Sequence, residues 1–135
     1  MKSKISIVAL CLAATAVFAD DITNSEEILC STSKIIVCFE TGDCVDGLPW
    51  EYNVPQFVVI DTEKKIMSTT KASDEARSTP IRNLQRDGGT LMMQGIEDGR
   101  VFGFVIDEAT GLLTVSVARD GISVSVFGAC TDANN

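Results

Sequence analysis

The sequence predicts an all-β protein: an antiparallel meander of about seven or eight strands that forms a small barrel or a rolled sheet, stapled by two disulfides. Three observations predict this fold class. Short apolar runs alternate with polar residues at a period of two, glycine-containing turns separate the runs, and four cysteines follow an N-terminal export signal. After that signal, a helix is expected at most as one turn within residues 21–29.

Residues 1–19 have the features of a secretory signal peptide. Lys2 and Lys4 precede an apolar run over residues 5–18, and the small residue Ala19 stands where a signal peptidase cleaves. The run is about 14 residues long, shorter than the roughly 20 that cross a bilayer, so a membrane anchor is disfavoured. We expect cleavage after Ala19, a periplasmic or secreted protein, and a single β domain over residues 20–135.

Cleavage removes Cys11 and leaves Cys30, Cys38, Cys44 and Cys130. Four cysteines in an exported domain of this size predict two disulfides. A zinc site or a redox pair would favour the Cys-x-x-Cys spacing or histidine ligands, and the sequence has neither. The turn residues between Cys38 and Cys44 favour a bridge across that turn, which leaves Cys30 to pair with Cys130. The two crossed pairings stay open at this point.

Turn signals divide the second half of the chain into strands. Strands are expected at residues 57–60, 65–70, 81–85, 90–95, 100–106, 112–118 and 122–128. Asp120-Gly121 is a two-residue hairpin signal, because glycine tolerates a positive φ. Alternation places one apolar set on each of the last three strands: Phe102, Phe104 and Ile106; Leu113, Val115 and Val117; Ile122, Val124 and Val126.

The net charge and the available side chains limit the classes of function that the sequence predicts. The net charge is −8, and it falls to about −10 without the signal peptide, which disfavours nucleic acid and anionic membranes as partners. The chain has no histidine, its cysteines are expected in disulfides, and most carboxylates lie in turns. We therefore expect no catalysis, no cofactor and no metal. Calcium at Asp43 and Asp46 is disfavoured because the EF-hand spacing is absent.

Residues 71–80, KASDEARSTP, form the longest gap between expected strands after Gln56. A solvated loop is the simpler interpretation, and a partner-binding loop on a rigid scaffold is the functional one. The candidate binding residues are Lys71, Asp74, Glu75, Arg77 and Arg82. The single tryptophan and tyrosine, Trp50 and Tyr52, are expected to plug one end of a barrel rather than to stack on a ligand.

Several segments carry a resemblance to a known family: CFETGDC, QFVVIDTEKKIMSTT, the stretch from TPIRNLQRDGG to VARDG, and a terminal VFGACT. They resemble a family of small exported proteins of proteobacteria that has no established activity, which implies export and a β fold. The architecture is also similar to that of periplasmic inhibitors of c-type lysozyme, small barrels in which a disulfide joins an early and a late cysteine. An acidic inhibitor would suit a cationic lysozyme.

The leading functional expectation is a non-catalytic exported protein that binds a partner at the cell envelope, such as an envelope protein or a cationic protein. One alternative is inhibition of c-type lysozyme. The other is a carrier that holds a small apolar ligand in a barrel cavity. The apolar residues expected around that cavity are Phe57, Ile60, Phe102, Phe104, Val115 and Val124.

Overall fold

Ten β-strands account for most of the protein in the computed structural model, which describes residues 20–134. The strands are β1 (Glu27–Phe39), β2 (Cys44–Gly47), β3 (Phe57–Asp61), β4 (Ile66–Thr69), β5 (Ser78–Pro80), β6 (Asn83–Asp87), β7 (Thr90–Glu97), β8 (Arg100–Asp107), β9 (Leu112–Arg119) and β10 (Ile122–Asp132). A short 3-10 helix, Pro49–Tyr52, connects β2 to β3. The predicted signal peptide lies outside the described residues.

All ten strands belong to one antiparallel sheet, in the order β5-β4-β3-β1-β10-β9-β8-β7-β6, with β2 paired to the far end of β1. The two edge strands, β5 and β6, are consecutive in sequence. Between them Ile81 donates its N–H to Lys65 O (2.8 Å), and Arg82 donates its N–H to Gln94 O (2.9 Å). The same chain segment thus pairs with β4 and then with β7, so the sheet curls back on itself. The predicted all-β rolled sheet is confirmed.

The longest strand, β1, pairs with β10 along nearly its whole length. The register shifts between Thr32 and Lys34, which is a β-bulge that bends the strand. Gly128 lies opposite this bulge, and a Cβ there would overlap the carbonyl of Ser31. A glycine is therefore required at this position, because the two backbones approach closely there.

The two disulfides have the pairing that the turn residues favoured. Cys30 and Cys130 are directly opposite in the pairing of β1 with β10, and their bridge spans 100 residues of sequence. Cys38 and Cys44 close the hairpin between β1 and β2. The first bridge joins the beginning and the end of the domain, and the second staples a single turn.

The structure differs from the prediction near the N-terminus and around the long loop. Residues 21–29 form no helical turn: Ser25 donates its N–H to Ile22 O (3.0 Å) in a turn, and β1 begins at Glu27. The predicted 71–80 loop contains the short strand β5, and the strand predicted at 81–85 is β6, two residues later. Together with β1 and β2, the strand β5 raises the seven expected strands to ten. Within residues 20–134, no helix is long and apolar enough to cross a membrane.

Candidate binding cavity

The interior of the rolled sheet is filled at one end and hollow at the other. The closed end contains the turns that follow β3, β6 and β8, and several of its side chains are 0% exposed: Ile22, Ile28, Ile60, Leu91 and Ile106. The other end contains a cavity of about 460 Å³ that opens to solvent; we call it the open-end cavity. Its rim is formed by the turns after β7 and β9, the 70–77 loop and the segment after the 3-10 helix.

Alternate residues of each strand face inward, and in these strands the inward residues are mostly apolar, so the walls of the open-end cavity are apolar. The predicted inward faces of β8, β9 and β10 are confirmed, and most of those side chains line the cavity. Further wall residues come from β1, β3 and β4: Ile35, Val37, Val58 and Met67. Of the six residues expected around a carrier cavity, Phe57 and Ile60 do not line it. Phe57 is exposed on the outer surface, and Ile60 is buried in the closed end.

One wall is shaped by a phenylalanine lying on a glycine. Phe102 on β8 is directly opposite Gly95 on β7, and a Cβ at Gly95 would overlap the Phe102 ring. The ring of Phe104 packs edge-to-face against Phe102, with the centroids 6.0 Å apart. The missing side chain at Gly95 lets the Phe102 ring lie close to the sheet, which leaves space in the cavity.

The closed end is fastened by the N-terminal segment. Ile22 donates its N–H to Glu108 O (2.8 Å), and the Ser25 hydroxyl donates to Asp132 Oδ2 (2.6 Å). Arg86 forms an ion pair with the buried carboxylate of Glu108 and donates a second bond to Ser25 O (2.6 Å). Each charge in this pair has a direct partner, as a buried ion pair requires.

The rim of the open-end cavity carries three arginines: Arg77, Arg100 and Arg119. Arg100 directly follows the two-residue turn Asp98-Gly99, in which both φ angles are positive (48° and 73°). This turn type fits the twist of a hairpin. Arg119 directly precedes the two-residue turn to β10. In an antiparallel meander these alternate turns lie at the same end of the sheet, so both arginines come to the same rim.

The third arginine of the rim comes from the long loop. Arg77 donates its Nη1 to Asn53 O (3.1 Å), which ties the loop to the segment after the 3-10 helix. Its backbone N–H bonds to the Thr69 hydroxyl (3.0 Å). The other four residues predicted to bind a partner are exposed and do not line the cavity: Lys71, Asp74, Glu75 and Arg82.

The rim arginines are poorly neutralised. Among the described residues, none of the three has a carboxylate within 4.0 Å; the two ion pairs found there are Lys34–Asp46 and Arg86–Glu108. The Nε of Arg100 is buried and has no hydrogen-bond partner in this part of the chain. Glu97, opposite Arg100 across the turn, is the single carboxylate among the described lining residues. Among the residues that line the cavity, three arginines therefore stand beside one carboxylate, although the turns and the loop of the rim also carry Asp74, Glu75, Asp98 and Asp120.

The aromatic residues of the 3-10 helix do not fill the open end. Tyr52 lines the cavity mouth with its ring against Gly47, whereas Trp50 is 48% exposed and does not line the cavity. The prediction that Trp50 plugs the barrel is therefore wrong. Its neighbour Pro49 is buried instead, and it anchors the helix to the sheet.

Carboxylates outside the cavity are held in local hydrogen bonds. The hydroxyl and N–H of Thr23 lower the pKa of Asp21, and the Ser25 hydroxyl, followed by the Asn134 N–H, lowers the pKa of Asp132. Over residues 20–134, no cluster of three or more acidic, cysteine or histidine side chains is placed to hold a metal. At the disfavoured calcium position, Asp43 accepts a bond from Thr41, and Asp46 pairs with Lys34.

Comparisons of this sequence with protein-family models, curated proteins and solved structures found no match. The resemblance to small exported proteins and the similarity to lysozyme inhibitors therefore stay predictions. Any proposal of function must therefore be based on the residues that line the open-end cavity.

Proposed function

We propose that this protein is a non-catalytic exported binding protein, and that it carries a small molecule with an apolar body in the open-end cavity. One observation carries the proposal: a solvent-accessible cavity of about 460 Å³ with apolar walls lies inside a sheet whose other end is fully packed. Small-molecule sites are typically clefts of about 300–1,000 Å³ with mostly apolar linings, and this cavity falls within that range.

The contrast with the closed end supports a site rather than a packing defect. Protein interiors are close-packed, and voids larger than a water molecule are few. The closed end follows this rule with side chains such as Ile22 and Leu91 at 0% exposure, whereas at the open end some inward side chains, such as Phe104, Val117 and Val124, are only partly buried beside the cavity. Each methylene that a ligand buried there would contribute about 0.8 kcal/mol, so an apolar body would bind favourably.

The polar groups of the protein support binding rather than catalysis. Asp21 and Asp132, the carboxylates with a shifted pKa, are shifted downwards, and both lie outside the cavity. A general acid at neutral pH needs the opposite shift, in a pocket beside the substrate. The two disulfides are compatible with the exported location that the predicted signal peptide implies.

The proposal is tested with a neutral apolar dye, N-phenyl-1-naphthylamine, whose fluorescence rises in apolar surroundings. The oxidised protein should bind the dye at a single site. Val117→Phe places a ring in the cavity and should weaken binding roughly tenfold, equivalent to about 1.4 kcal/mol. Val105→Phe is the matched control, because Val105 is on the outer face of the adjacent strand.

Fluorescence titration of the three proteins decides the outcome, and native mass spectrometry of freshly isolated protein adds a search for a co-purified ligand. The expected result is tight binding by the wild type and by Val105→Phe, and weak binding by Val117→Phe. No dye binding by the folded wild type, or equal binding by both variants, would overturn the proposal.

A further inference from the structure

The arginines of this protein are distributed unevenly. The sequence contains five, and three of them line the open-end cavity. Of the other two, Arg86 is paired with Glu108 in the closed end, and Arg82 is exposed outside the cavity. An acidic protein thus places most of its arginines around the mouth of one apolar cavity.

Arg100 is the most informative of the three. Its side chain is half-buried, and its Nε is shielded from solvent without a hydrogen-bond partner among the described residues. Buried polar groups are nearly always hydrogen-bonded, so an unpaired one marks a place where the fold leaves an interaction unmade. Because this nitrogen has almost no accessible surface, a ligand in the cavity would reach the guanidinium through its terminal nitrogens.

The neighbouring carboxylate does not fulfil this role. Glu97 is directly opposite Arg100 in the register of β7 and β8, but no ion pair within 4.0 Å forms between them. Arg77 and Arg119 come from a different loop and a different hairpin, and they too have no carboxylate within that distance among residues 20–134. None of the three guanidinium groups therefore has a direct ion pair within residues 20–134, and Arg77 already uses Nη1 in its bond to Asn53 O.

We propose that the ligand of the open-end cavity is an amphipathic anion, whose apolar chain lies against the strand walls and whose carboxylate or phosphate head is bound by Arg100 and Arg119, with Arg77 beside them. This inference rests on the proposed function and adds the chemical class of the ligand. Guanidinium groups bind both oxyanions in bidentate geometry and are weakly hydrated, which suits a site beside apolar walls. Low-dielectric walls also strengthen the attraction between the charges.

The test measures binding of four compounds by displacement of N-phenyl-1-naphthylamine or by calorimetry, below the micelle concentration. Dodecanol has the chain alone, inorganic phosphate has a head alone, and dodecanoate and dodecyl phosphate have both. The wild type should bind the two amphipathic anions at least about tenfold more tightly than dodecanol, since hydrogen bonds to charged groups are the stronger ones. The ratio of the two anions then distinguishes a carboxylate from a phosphate head.

The variants locate the head group. Arg100→Gln and Arg119→Gln should each lower the ratio of anion affinity to dodecanol affinity towards one. Arg82→Gln is the matched control and should keep the full preference, because Arg82 is exposed outside the cavity. Raising the salt concentration should reduce the preference in the wild type and in Arg82→Gln.

The outcomes separate this inference from the proposed function. If the wild type binds dodecanol and the anions equally, or if both arginine variants keep the preference, the inference is overturned and the apolar carrier stands. If inorganic phosphate alone binds as tightly as dodecyl phosphate, the apolar chain contributes nothing and the inference also fails. If neither the dye nor any chain-bearing compound binds, the proposed function is overturned as well.

Discussion

The two ends of the rolled sheet are built from the same strands, but one end has a packed interior and the other encloses a cavity. At the closed end, the N-terminal segment inserts Ile22 between the strands, and the Arg86–Glu108 pair and the Ser25–Asp132 bond fasten it. Among residues 20–134, no comparable segment enters the open end, and about 460 Å³ stays unfilled there. The fastening contacts therefore lie at one end of the sheet, and the cavity of the proposed carrier lies at the other.

Two arginines illustrate the same separation. Arg86 has a buried carboxylate and a backbone carbonyl as partners, so its hydrogen bonds are used within the fold. Arg100 has a buried Nε without a partner in the described part of the chain, so its interactions are unfinished. A charged group that is satisfied internally contributes to folding, whereas one that is left unsatisfied beside a cavity indicates an interaction still to be made.

The largest effect is expected from the two disulfides. Replacing Cys30 and Cys130 together by alanine should lower the free energy of unfolding by about 4–5 kcal/mol, because this bridge closes a loop of 100 residues. Replacing Cys38 and Cys44 should cost about 2 kcal/mol, since that bridge closes a single turn. Urea unfolding of both variants measures the difference. Equal losses would show that loop length does not determine what each bridge contributes.

The second prediction compares the two arginine environments directly. Glu108→Gln leaves the Arg86 charge without its carboxylate in the closed end and should cost about 3 kcal/mol of unfolding free energy. Arg100→Gln removes a charge with an unpaired buried nitrogen and should change stability by less than about 1 kcal/mol.

Urea unfolding at neutral pH measures both variants of this comparison. The double variant Arg86→Met with Glu108→Leu is the control, since replacing both partners by apolar groups should recover most of the loss caused by Glu108→Gln. A larger loss for Arg100→Gln than for Glu108→Gln would contradict the division of the two ends.

The strands were predictable from the sequence because each depends on local signals. Turn residues such as Asp98-Gly99 and Asp120-Gly121 fix the hairpins, and period-two alternation assigns the inward faces of β8, β9 and β10. The strand β1 was harder to recognise, because the polar residues 31–34 interrupt its apolar pattern at the bulge. Pairing of the first long strand with the last is a long-range contact that no local signal specifies.

The sequence raised a hollow interior only as an alternative, because empty volume depends on how far the sheet curls and on where each side chain points. The position of two rim arginines could have been predicted in part from the sequence. Arg100 and Arg119 adjoin alternate hairpin turns, and alternate turns of an antiparallel meander lie at the same end. Two of the predicted binding residues, Arg77 and Arg82, are close in sequence, but only Arg77 lines the cavity. Closeness in sequence therefore did not predict which arginine lies at the rim.

The smallest effect concerns pH at the closed end. The Ser25 hydroxyl, and then the Asn134 N–H, hold the pKa of Asp132 below its usual value of 3.8. A carboxyl whose pKa is lower in the folded state contributes its full stability above the unfolded pKa and loses it as the pH falls through the folded value. Ser25→Ala removes the larger cause. The stability difference between wild type and Ser25→Ala should therefore be greatest above the usual pKa of 3.8 and shrink as the pH falls below it.

Urea unfolding at a series of pH values measures this change, and Asp132→Asn serves as the control background. In that background Ser25→Ala should have the same effect at every pH, because the titrating group is gone. A pH-independent difference in the Asp132 protein would show that Ser25 acts through packing alone.

The dye affinity of the open-end cavity should be unchanged by Ser25→Ala at neutral pH, since Ser25 fastens the opposite end of the sheet. A shift in dye affinity would mean that the two ends are energetically coupled, so that losing the Ser25–Asp132 hydrogen bond at one end changes binding at the other.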